Sequence, residues 1–194
     1  MKHSTRLQLG IVISAITALF LIVGTNVMAQ TKKDLSISAT ALGTNQQLGR
    51  LISVDVRISA YSTAEDRKGL LEAFGEKGSE GLANALDKMS SKGRIAITGT
   101  LGFDLKYVRE FKMPDGNRKI RFVTDRPVKF AELWSSSRSM DYSLSMGEII
   151  ISNTKGKSTG TLVPAAKFKL NKDGEIEIEA FQNPWNLTNI KVWK

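Results

Sequence analysis

The 194-residue chain has no cysteine and a single histidine, His3. Without a thiol there is no disulfide, no thiolate metal ligand and no thiol redox chemistry. With the one imidazole beside the N-terminus, Ser-His-Asp and Cys-His catalysis, histidine zinc sites and histidine haem ligation are excluded from the rest of the chain. Long apolar runs are equally scarce, since only the N-terminal segment has one. No fixed-period repeat, low-complexity stretch or linker divides the sequence. What remains for chemistry is carboxylate, lysine, tyrosine and hydroxyl.

The N-terminal run has the form of a secretory signal. Lys2 and Arg6 precede the uncharged stretch from Ile11 to Val23, and Val27-Met28-Ala29 supplies small residues ahead of Gln30. Residues 1–29 are therefore expected to be a signal peptide and 30–194 a single β-rich domain, secreted or periplasmic. Contact with a membrane is expected only through an uncleaved signal. Loss of Lys2 and Arg6 would lower the formal charge from +9 to +7. A domain of that size buries enough surface to stand without crosslinks.

Alternation with period two dominates the remainder. Ile52, Val54, Val56, Ile58 and Ala60 oppose Ser53, Asp55, Arg57 and Ser59, which predicts a half-buried strand. Pro114-Asp115-Gly116 and Asp173-Gly174 mark tight turns between further alternating segments. The spacing predicts an antiparallel sheet of about nine strands, mainly β in an α+β sense, folded as a barrel or a sandwich. After the second strand the pattern changes. Ser62 with Glu65, then Leu70, Leu71 and Phe74, predict one short helix, and Ser79 with Leu82, Leu86 and Met89 predict another. Gly75 and Gly78 would separate them, giving a two-helix insertion over about residues 63–91.

Three carboxylates are the candidate catalytic groups: Asp104, Asp125 and Asp141, each set among apolar or aromatic neighbours. A pair of them about 5 to 10 Å apart would suit glycoside hydrolysis. Arg126 and Arg138 are the candidate partners for these acids, and with Tyr142 and Trp134 they are the candidate ligand-binding residues. The hairpin around residues 104–126 is rich in cations, of which Lys119 and Arg121 are candidates for an anion-binding surface. Its own acids and an exported address disfavour nucleic acid as the partner. Asn171, Asp173 and Glu175 lack the glycine of an EF-hand loop, and the glycines of 93–102 lack phosphate-loop spacing. No metal or cofactor is expected.

Gly99-Thr100-Leu101-Gly102-Phe103-Asp104-Leu105, Thr124-Asp125-Arg126-Pro127, Arg138-Ser139-Met140-Asp141-Tyr142, Gly160-Thr161-Leu162 and Leu187-Thr188-Asn189 resemble a group of small exported bacterial proteins of uncharacterised function. The resemblance implies an exported domain and no named activity. Three functions are carried forward. The first is a non-enzymatic binding or envelope-associated protein whose partner is a small ligand or an envelope component. The others are a carboxylate-dependent hydrolase of envelope or extracellular glycans, and an anionic-polymer binder acting through the basic hairpin.

Overall fold

A computed structural model describes residues 34–44, 49–128, 142–171, 176–181 and 183–193. Nine strands and one helix follow in the order β1 (Leu35–Leu42), β2 (Leu51–Ile58), α1 (Ala64–Lys88), β3 (Gly93–Ile97), β4 (Phe103–Lys112), β5 (Arg118–Thr124), β6 (Leu144–Ile151), β7 (Thr159–Leu170), β8 (Ile176–Ala180) and β9 (Trp185–Trp193). Among the described residues each pairing is antiparallel, and the ladder runs from β1 through β7 in sequence order, then to β9 and back to β1. Eight strands thus close into a barrel, and β8 extends the sheet from β7 alone. Of the two architectures open to the sequence, the chain adopts the barrel.

The inner face follows the alternation. Leu35, Ile37, Ala39 and Ala41 of β1 pack with Val54, Val56 and Ile58 of β2, Ile120 and Phe122 of β5, and Trp185 and Leu187 of β9. An eight-stranded ring is just wide enough for side chains to fill it. Phe122 stands directly over Gly147 of the neighbouring strand, where a β-carbon would lie 2.2 Å from the ring.

The insertion after β2 is one helical element, Ala64–Lys88, whose two segments meet directly at a kink. Only Lys77 and Gly78 leave helical geometry, so no linker forms. Gly78 takes φ +58° and ψ −142°, a conformation open to glycine. The bend is sharp enough to bring Gly81 against the carbonyl of Ala73. The capping box lies one residue later than the spacing suggested. Thr63 is the cap, accepting from Asp66 N at 3.1 Å, while Asp66 reaches back to Thr63 N at 2.9 Å. Ser62 instead seals the edge of β4: its N–H donates to Val108 O at 2.8 Å and its hydroxyl accepts from Val108 N at 3.0 Å.

Helix α1 covers the outside of one half of the barrel. Leu70, Phe74, Leu82 and Leu86 pack on Tyr107, Val123, Met146, Val163 and Phe168, which point outward from β4 to β7. Phe168 N donates to Ser79 Oγ, the residue expected to cap a second helix. The outer face of β9, β1, β2 and β3 contributes nothing to this second core.

Candidate functional site

Asp125 closes β5 and its side chain is 1% exposed. Lys106 Nζ lies 3.6 Å from its carboxylate and Arg126 Nε 3.2 Å from it. Lys106 also donates to the carbonyls of Asp87 and Met89 at 3.1 and 3.0 Å, so one buried ammonium ties the C-terminal end of α1 to β5. A cation there also complements the helix dipole. The bulge between Leu105 and Tyr107 makes this possible, because it turns Lys106 out of the barrel and towards the helix end. Asp104, on the outer side of β4, accepts from Ser91 Oγ at 3.1 Å. Asp141, Arg138 and Trp134 lie outside the described residues.

Tyr142 sits on β7 and β8. Its hydroxyl donates to Glu179 Oε1 at 2.6 Å, its ring meets Phe181 edge-on at 5.4 Å, and Lys167 Nζ lies 4.8 Å from its centre. The Tyr142 hydroxyl, helped by Lys169 and Lys167, holds the Glu179 carboxyl down at about 2. Because the folded value lies below the unfolded one, the cluster stabilises the fold above the ordinary carboxylate pKa of 4.5 and loses that contribution as pH falls towards 2. Tyr142→Phe is expected to move the Glu179 titration upward, followed by NMR of its carboxyl carbon. A titration that stays near 2 in that variant would assign the shift to the lysines alone.

The candidate cations of the basic hairpin are paired with an acid from the next strand. Arg121 Nε is 2.6 Å and Lys119 Nζ 3.7 Å from the carboxylate of Glu148. Arg109 and Arg121 lie over the Phe111 ring at 5.4 and 5.6 Å. The two residues expected to present positive charge, Lys119 and Arg121, therefore share one acid on β6.

Two arrangements escaped the sequence. At one mouth of the barrel Glu110 and Arg118 form an ion pair. They extend the inward rows of Val108 and Ile120, and the Glu110 side chain is 6% exposed. Burial, then the neighbouring Glu110, pushes the Tyr61 hydroxyl up to about 12, so it stays protonated and donates to the carboxylate. The period of two implied that Glu110 and Arg118 share a face, but only the register shows that they meet.

The second is the outer face of β9, β1, β2 and β3. Ladder register sets Trp193 beside Ser36, Ser36 beside Arg57, and Arg57 beside Arg94. The next row holds Lys191, Ser38, Asp55 and Ala96, and the one after it Thr188, Thr40 and Ser53. Thr98 donates to Asp55 at 2.7 Å. Arg57, Arg94 and Lys191 are exposed and form no ion pair among the described residues. Asn189, at φ +50°, provides the bulge that brings Lys191 and Trp193 into these rows.

No group of three histidine, cysteine, aspartate or glutamate side chains among the described residues is placed to hold a metal ion. No helix among them is long and apolar enough to cross a membrane. No protein-family model matches the chain, and neither the curated proteins nor the solved structures contain a match to it.

Proposed function

We propose that this is an exported, envelope-associated binding protein that recognises its ligand on a sheet surface and performs no covalent chemistry. The observation that carries the reading is the filled barrel. Trp185, Phe122, Ile37, Ile58, Ile95, Leu105 and other large side chains occupy its interior, and a lumen packed in this way leaves recognition to the outside. One outer half is taken by α1. The other carries hydroxyls and charges, and no element among the described residues covers it. The hydrolase reading draws less support, because Asp125 is engaged by Lys106 and Arg126 and Asp104 by Ser91.

Sedimentation with isolated envelope tests this reading. The protein is expected to pellet with the envelope, and Ser38→Glu combined with Thr40→Glu is expected to leave it in the supernatant. Glu72→Lys on the exposed side of α1 is expected to change nothing. Equal pelleting of all three forms would count against a surface on β1.

A further inference from the structure

The face that no described element covers places two arginines side by side. Arg57 and Arg94 are direct cross-strand partners, and like charges in that position destabilise a sheet. Like-charge partners also face each other at Arg109–Arg121 and Lys112–Arg118 of β4 and β5, but there Glu110 pairs with Arg118 and Glu148 with Arg121 and Lys119, as Glu179 pairs with Lys167 and Lys169. On this face Arg94 also has Asp104 of β4 opposite it and Asp55 lies in the next row, yet Arg57 and Arg94 form no ion pair among the described residues, and Lys191 adds a third cation one row away. At the end of the same row Trp193 is 57% exposed. An indole left in water beside a flat row of small hydroxyls offers an apolar plane with polar neighbours.

We infer that the row Trp193, Ser36, Arg57 and Arg94 is a binding platform for an acidic polysaccharide, with the indole stacked on a sugar ring and the two guanidinium groups taking sugar carboxylates. The inference rests on the surface reading above and gives that surface its ligand class. Four adjacent strands span roughly 14 Å at about 4.8 Å per step, which accommodates a run of a few sugar units. Guanidinium groups match carboxylates as planar, paired donors. Ser36 and Ser38 leave the surface between them low, so a chain can lie across it. A lipid surface fits less well, since the outward residues of β1 are Ser36, Ser38 and Thr40. Of the exposed leucines, Leu51 and Leu101 stand towards the other end of the strands and Leu170 is on β7. Single-stranded nucleic acid asks for several stacking aromatics, and these rows hold one.

The test is isothermal titration calorimetry of the purified protein with oligogalacturonate, set beside a neutral galacto-oligosaccharide. Oligogalacturonate is expected to bind at least tenfold more tightly than the neutral sugar, and to weaken as salt is raised. Arg57→Gln with Arg94→Gln is expected to cost at least tenfold, as is Trp193→Ala, whereas Lys119→Gln with Arg121→Gln stays within twofold. The Arg57→Gln, Arg94→Gln form removes a like-charge pair, so its melting temperature is expected to be no lower than that of the parent, separating lost binding from lost folding. Neutral sugar bound as well as acidic, with dependence on Trp193 alone, would overturn the acidic ligand and leave the surface reading standing. Binding indifferent to all three of Trp193, Arg57 and Arg94 would overturn both. No binding of oligogalacturonate, or equal binding to anionic vesicles or duplex DNA, would overturn the inference.

Discussion

Asp125→Ala is expected to lower stability by about 3–5 kcal/mol, the usual cost of stranding a buried charge. The stranded group is Lys106, whose side chain is 10% exposed and faces Asp125 at 3.6 Å. Its two remaining partners are the carbonyls of Asp87 and Met89, which are dipoles and leave its charge uncompensated. Adding Lys106→Met is expected to recover part of the loss, because an apolar chain of similar length tolerates the site. Recovery stays incomplete, since the end of α1 then lacks its donor. Urea unfolding of the parent, the single and the double variant gives the three values. An Asp125→Ala unfolding free energy within about 1 kcal/mol of the parent's would show that Arg126 and solvent, rather than Lys106, set the energy of this carboxylate.

The second large effect comes from the barrel interior. Phe122→Ala is expected to cost about 3–5 kcal/mol, as truncation of a fully buried aromatic does. Gly147→Ala is expected to cost about 1–3 kcal/mol for the opposite reason, overpacking, because its new methyl meets the Phe122 ring at 2.2 Å. Combined, the two changes are expected to fall short of the sum by about 1 kcal/mol or more, since the methyl enters space the ring has left. Strict additivity would mean that the backbone of β6, and not the ring, absorbs the clash.

The barrel's walls were readable because their period is two and mostly unbroken. In β1, Leu35, Ile37, Ala39 and Ala41 alternate with Ser36, Ser38 and Thr40, and each falls on the side its chemistry suggests. Where a bulge shifts the phase the pattern loses its meaning. Leu105, Lys106, Tyr107 and Val108 are four consecutive buried residues, and nothing local says that Lys106 serves a helix end. The helical insertion was legible only in part for a related reason: Gly75 and Gly78 look alike in sequence, yet only Gly78, next to Lys77, leaves helical geometry and marks the kink. Binding residues were harder still. Arg57 was assignable to a polar face, but its opposition to Arg94 and its place in a row with Trp193 depend on the register of three ladders. Lys119 and Arg121 stood out as nearby cations, while Glu148, which pairs with both, comes from another strand.

The ring is completed by pairing β1 with β9, the first strand with the last. Every other wall strand has its sequence neighbour for at least one partner, but this seam joins segments about 150 residues apart. Contacts of that separation make folding slow, because chain entropy must be surrendered before the contacts reward it. Until residues 185–193 are present, β1 keeps one open edge and the apolar inner row of Leu35, Ile37, Ala39 and Ala41 cannot be sealed. Closure is therefore timed by β9, and a nascent polypeptide stays unlocked until that nine-residue strand arrives.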